Sequence, residues 1–204
     1  MPNGVGLAHD PYNISMLVLA SASPRRQELL RNAGIAFEVQ PANINEDPLL
    51  EENAKACAER LAREKALAVA RTRPNDPVLG ADTVVVVGGQ YDNQILGKPA
   101  DAADAARMLR LLSGRTHQVI TGVCLVLNAR CSVASETTSV TMSEISADEI
   151  SAYVATGEPM DKAGAYAIQG IASRWIPRIE GDYSNVVGLP VALVYRLLKE
   201  WQLI

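Results

Sequence analysis

The chain has 204 residues, 48% of them hydrophobic and 21% charged. That is the composition of an ordinary globular protein large enough for one sizeable core. A net charge of -4 with no long basic run excludes nucleic-acid binding through a broad cationic face, so any anion site must be built from locally placed cations.

Residues 1–15 are rich in turn formers and read as a loose tail, followed by a single domain over residues 16–204. The run "MLVLASA" at residues 16–22 is too short for a secretory signal and follows Asp10 rather than basic residues. No segment has the length and apolarity of a membrane span. Residues 17–20 read as a buried strand. Ser23 then offers an N-cap and Pro24 a first helical position, for a helix over about residues 24–33 with Leu29, Leu30 and Ala33 on its apolar face. "IAFEVQPA" reads as a second strand, and strong helix formers predict a long helix from about Leu50 to Arg71. The β-branched run "VLGADTVVVVGGQ" predicts a central strand, with a hairpin-like return in "YDNQILGKP". "DAADAARMLRLLSG" predicts a helix starting near Asp101 and closing at Gly114. Two strands follow, "THQVITGVCLVLNA" and "CSVASETTSVTMSEI". Next comes a helix with the capping box Ser146-x-x-Glu149. "WIPRIEGDYSNVVGLP" reads as strand and loop, and "VALVYRLLKEW" as a closing helix. Helices alternate with strands, but adjacent strands also occur, so the pattern predicts a mixed α/β sheet flanked by helices.

Cys57, Cys124 and Cys131 form no CxxC motif and read as reduced core residues of a cytoplasmic protein. His9 and His117 lie far apart, so a metal here would be held by carboxylates, which suits Mg²⁺ or Mn²⁺.

Five stretches have residue types that can do chemistry. In "SASPRR" two cations, Arg25 and Arg26, stand in the first helical turn, where the helix dipole favours anions. With Ser21, Ser23 and free backbone N–H groups they read either as an anion cradle or as a solvated pair. Asp82 in "LGADTVVVV" reads as a strand-mouth carboxylate able to bind a divalent metal or take a proton from water, or as a turn cap with Thr83. Lys65 lies on the long helix, where Glu59 and Arg63 are spaced as an i,i+4 pair. Lys98 sits in a Gly-Lys-Pro turn. "EPMDKAGAYAIQG" carries Asp161, Lys162, Tyr166 and Gln169 between glycines. A glutamine there can read a nucleobase edge, and an ordinary polar loop is the alternative. Asp182 in "GDYSNVVGLPV" reads as a metal ligand or a turn initiator.

Taken in order, "LASASPRRQELL", "ERLAREKA", "LGADTVV", "GKP", "LSGRTHQVITGV", "DKAGAYAIQG" and "VVGLP" resemble the Maf family of nucleoside triphosphate pyrophosphatases, also known as septum-formation inhibitor proteins. The resemblance runs from about Met16 to Trp201. It implies a two-lobed, inosine-triphosphatase-like α/β fold with a central cleft. The activity it implies is hydrolysis of a nucleoside triphosphate to the monophosphate and pyrophosphate with a divalent cation. By motif, Asp82 becomes the proton acceptor, and Arg25, Thr83 and Gln169 the specificity positions. Ser23 and Arg26 line the phosphate site, Lys65 and Lys98 meet the triphosphate with Lys162 assisting, and Glu46 matches a family acid. "DKAGAYxIQG" with glutamine resembles the dTTP/UTP branch rather than the sister branch, which resembles 7-methyl-GTP pyrophosphatases. A homodimer is also implied. The sequence departs from the family pattern at Asn45, where an acid often stands, at Ala167, where glycine is usual, and in the bulkier "GIASRWI". The competing function is a nucleotide-binding regulator of septum formation without catalysis.

Overall fold

The structure is a computed structural model that describes residues 16–47, 49, 52–88 and 94–204. Residues 1–15, the predicted tail, lie outside the described residues. The described strands form one seven-stranded sheet in the order β2-β1-β3-β5-β6-β7, with β4 paired to β3. β1 (Leu17–Leu19), β2 (Phe37–Val39) and β3 (Val78–Val87) are parallel. β4 (Gln94–Leu96), β5 (Thr116–Leu127), β6 (Arg130–Thr141) and β7 (Arg178–Glu180) join antiparallel. The sheet is therefore mixed, as the alternation of elements predicts. β3 pairs in parallel with β1 at its start and antiparallel with β5 along most of its length, which makes it the central strand.

Helix α1 (Pro24–Asn32) begins at the Ser23 cap, as expected. The long helix is shorter than its sequence suggests: α2 spans Ala54–Ala70 and is capped by the Asn53 side chain, which accepts from the Ala56 N–H. Leu50, the expected start, lies outside the described residues. Asn53 outcompetes the helix formers before it because its carboxamide satisfies a free first-turn donor. Helix α3 (Ala102–Leu112) closes on Ser113, with Gly114 just beyond it at φ 68°. Helix α4 (Ala147–Ala155) has the full Ser146–Glu149 capping box. One short helix, α5 (Tyr183–Val187), replaces the loop expected there. The closing helix α6 (Val191–Glu200) turns Leu193, Val194, Leu197 and Leu198 inward.

The core falls into two large apolar clusters and two smaller ones under α2. Of the large ones, one joins α3, α4 and the 3₁₀ turns at residues 158–175 to the end of β3 and the start of β5. The other packs α1 and α6 against β1, β3 and β5. Helix α2 lies on the sheet so closely that a Cβ at Gly80 would fall 2.1 Å from the Ala62 carbonyl oxygen, and one at Gly122 2.3 Å from that of Ala58. Only glycine allows this approach.

Two surface expectations change. Glu59 does not pair with Arg63. Its carboxylate accepts from Ser135 Oγ at 2.7 Å and lies 3.8 Å from Lys55, while Arg60 pairs with Glu52 and Glu64. Of the three cysteines, Cys57 and Cys124 are buried, but Cys131, on β6, is exposed, with its Sγ 3.5 Å from that of Cys124.

Candidate active site

A cleft of about 530 Å³ opens across the carboxyl end of β1, the start of α1, the middle of β3 and the 3₁₀ segment from Asp161 to Gln169. The strand-to-helix turn builds its first wall. Ser23 caps α1 by accepting from the Arg26 N–H, which leaves the two arginines in the first turn with no acid beside them. The protein answers those charges with its own acceptors, and it treats them differently. Arg26 is buried. Its Nε donates to the Gly188 carbonyl at 2.8 Å, Nη1 to Ser21 Oγ at 3.1 Å and Nη2 to Thr83 Oγ1 at 3.1 Å. Burial lowers its pKa, opposed by the negative charge of Asp82, but a guanidinium remains a cation at any ordinary pH. Arg25 reaches outward across the cleft and donates to the Asp161 carboxylate at 2.8 Å.

The second wall comes from α2 and β3. Lys65 is 7% exposed, not the solvated helix charge its neighbours are. Its Nζ lies 2.6 Å from Asp82 Oδ1 and 2.7 Å from Glu46 Oε1. Removing such an ammonium from water costs several kcal/mol, in order of magnitude, unless charge partners offset it, and here two carboxylates do. The placement follows from the glycines: Asp82 stands opposite Gly122 in the β3–β5 register, and the close seat of α2 on Gly80 and Gly122 brings Lys65 down onto that point. Burial raises the Glu46 pKa, but the Lys65 hydrogen bond and charge, helped by Lys98 and Arg26, outweigh it and hold the carboxyl below its ordinary range.

The third wall is the segment after α4. Lys162 Nζ bonds the Asp161 carboxylate at 2.5 Å and the Glu158 carbonyl at 2.6 Å. For Asp161, burial raises the pKa, but the hydrogen bonds from Lys162 and Arg25 win and hold the carboxyl down at about 2. Lys98 and Gln169 line the cleft with exposed side chains. The predicted residues Ser21, Ser23, Arg25, Arg26, Glu46, Lys65, Asp82, Thr83, Lys98, Lys162 and Gln169 all line this one cleft. Asp182 does not. It is the N-cap of α5, accepting from Ser184 N and Oγ at 2.7 Å, which is the turn role.

The sequence reading missed Asp161 as the partner of Arg25, 136 residues away. Its adjacency to Lys162 was the one available hint. It also missed Thr121, buried behind the site, where its Oγ1 meets Thr83 Oγ1 at 2.9 Å and donates to the Asn185 carbonyl at 3.1 Å. An apolar strand with a threonine carries no sign of that use.

Among the described residues no three His, Cys, Asp or Glu side chains group as a metal cage. Glu46 and Asp82 nonetheless converge, each giving one oxygen to Lys65 and having a second. Two hard oxygen donors beside a polyanion site fit a cation such as Mg²⁺, which binds through one or two carboxylates plus substrate phosphates.

A mixed α/β sheet with a cleft lined by arginines, lysines and paired carboxylates defines a protein built to hold and act on a polyanionic small molecule. The family model for Maf-like protein matches residues 16–201, and the chain belongs to that family. It is 59% identical to a dTTP/UTP pyrophosphatase of Koribacter versatilis over 92% of this chain and 96% of that one. It is 50% identical to one of Symbiobacterium thermophilum (92% and 95%) and 49% identical to one of Salmonella typhimurium (92% and 94%). Among solved structures, the Staphylococcus aureus Ham1 protein aligns with a TM-score of 0.47 at 15% identity, over 91% of this chain and 99% of that one.

Proposed function

We propose that the protein hydrolyses dTTP and UTP to the monophosphate and pyrophosphate, a house-cleaning reaction on the nucleotide pool. One observation carries the reading: a single cleft gathers Arg25 and Arg26, Lys65, Lys98 and Lys162, and the carboxylates Asp82 and Glu46, from segments scattered along the chain. The names of the relatives at 49–59% identity support the substrate.

Asp82 is the proton acceptor. One of its oxygens is tied to Lys65, which fixes the carboxylate and leaves the other to orient a water. The water oxygen bonds to phosphorus at the α–β anhydride, the bridging P–O bond breaks, and pyrophosphate leaves with the bonding electrons while the proton passes to Asp82. Arg25, Lys98 and Lys162 neutralise the triphosphate. Asp161 holds Arg25 and Lys162 in place, and incoming phosphate oxygens compete with it for both cations. Arg26 fixes Thr83 and the turn around Ser21 and Ser23, which present hydroxyls and backbone donors. A divalent cation, Mg²⁺ or Mn²⁺ held by Glu46 and Asp82, would add charge neutralisation and water activation. Gln169 pairs with the pyrimidine edge, and Arg25 and Thr83 complete the choice of substrate.

Incubating the purified protein with each common ribo- and deoxyribonucleoside triphosphate and Mn²⁺, then measuring pyrophosphate, tests this. Turnover is expected to be highest with dTTP and UTP. Absence of pyrophosphate across all nucleotides would favour the non-catalytic regulator, and a guanine nucleotide ranking first would favour the sister branch.

A further inference from the structure

Gln169 is exposed and sits on a short connection between two 3₁₀ turns. Such a side chain would point in many directions if its backbone were free. The backbone is held on both sides by side chains that do not line the cleft. On one side, the hydroxyl of Tyr153, a residue of α4 that is 1% exposed, accepts the Ala167 N–H at 3.3 Å. The same hydroxyl donates to Glu158 Oε1 at 2.8 Å. On the other side, the Glu158 carboxylate accepts the Ile171 N–H at 3.1 and 3.3 Å, one distance to each oxygen. One linked pair thus ties the chain two residues before Gln169 and two residues after it. Position 170 belongs to the same arrangement. A Cβ there would fall 2.3 Å from Glu158 Oε1, so the carboxylate fills the space a side chain would need, and Gly170 leaves that space open. The Glu158 carbonyl also accepts from Lys162, which ties the anchor to the cation wall.

We propose that Glu158, acting with Tyr153, is a positioning residue for nucleotide choice: it sets the Gln169 carboxamide against the base without touching the substrate. The inference rests on the proposed reading that Gln169 contacts the base. A carboxamide discriminates one base edge from another only if its donor and acceptor are held in place before the nucleotide arrives. A carboxylate accepting backbone N–H from a short loop supplies that at little entropic cost, because a charged acceptor bonds about twice as strongly as a neutral one.

The test compares kcat and KM for dTTP, UTP, dATP and dGTP in the wild-type protein and in Glu158→Ala, Glu158→Gln, Tyr153→Phe and Gln169→Ala. Glu158→Ala and Tyr153→Phe are expected to lose about tenfold or more of the pyrimidine-over-purine ratio in kcat/KM, mainly through KM for dTTP, with kcat within about threefold. Glu158→Gln keeps an acceptor for Ile171 and a partner for Tyr153, and is expected to retain the preference. Gln169→Ala should lose it. Loss of preference in Gln169→Ala but retention in both Glu158→Ala and Tyr153→Phe would overturn the positioning role alone. Retention in Gln169→Ala would overturn the base-reading role on which it rests. Should Glu158→Ala not fold, Tyr153→Phe decides, since it removes only the hydroxyl and keeps the ring packed edge-on against Trp175.

Discussion

At the scale of single residues, the two arginines of the first helical turn show how much a charge's surroundings decide its use. They are neighbours in sequence and opposite in placement. Arg26 is buried on three oxygen acceptors and has become part of the frame, while Arg25 spans the cleft to an exposed carboxylate. Asp82 is the residue on which the proposed chemistry turns. Asp82→Asn keeps the shape and the contact to Lys65 but removes the proton acceptor. It is expected to lower kcat by roughly 10²-fold or more, the scale of a positioned general base, with KM for dTTP changed far less. Steady-state kinetics read this directly, and near-normal kcat in the variant would remove Asp82 from the role. The local signals at this scale were legible in the sequence. Ser23 and Pro24 mark a helix start whatever the rest of the chain does, but Asp82, read as a strand-mouth carboxylate, stands buried in the middle of β3, where it needs a charged partner. The identity of that partner was not legible, because Lys65 reads as one more charge on a charged helix until the helix is seated.

At the scale of elements, the seat of α2 on the sheet does the placing. The backbone approach at Gly80 and Gly122 is closer than any Cβ permits, and it sets the depth at which Lys65 meets Asp82. Gly122→Ala is expected to push α2 away, at a cost of about 1–3 kcal/mol typical of overpacking, and to raise KM for the nucleotide as Lys65 is displaced. Denaturant unfolding and kinetics on the same preparation check both effects; a stable variant with normal KM would show that the close seat does not position the site. The sequence made long periodic elements and the Ser146 capping box plain, since their signals are local. It concealed α5, whose five residues are too few for a helical period and which is held by Asp182 and by the buried Asn185 bonding to Val119 and Thr138. It also overran the start of α2, where one capping asparagine outweighed the helix formers before it. Gly80 and Gly122 looked like ordinary strand glycines, because what they accommodate is the backbone of a helix far along the chain.

At the scale of the molecule, the sheet brings the start of β3 to one apolar cluster and its far end to the other, with the cleft along its middle. This explains why the site residues come from so many segments. The resemblance named the residues, and only the fold showed that they share one cleft. Beside the larger cluster, bonded to its Tyr166, stands a titratable group that the proposed chemistry does not use. His117 is 2% exposed, bonded through Nε2 to the Tyr166 hydroxyl, and burial pushes its pKa from 6.5 down to about 4. Between those values the unfolded chain takes up a proton that the native protein refuses. Stability is therefore full above pH 6.5 and falls as the pH drops toward 4, by about 1.4 kcal/mol per pH unit and about 3 kcal/mol in all. Unfolding free energies from pH 7 to 4 for the wild type and His117→Gln check this, with the wild type expected to show the steeper decline and equal slopes speaking against it.

The proposed reaction is cleavage of a pyrimidine nucleoside triphosphate in this cleft at the α–β anhydride. Product analysis of dTTP turnover by the purified protein with Mn²⁺ tests it most directly. dTMP and pyrophosphate are expected in equal amounts, with no dTDP at any time. Release of inorganic phosphate with accumulating dTDP, or no hydrolysis at all, would contradict it.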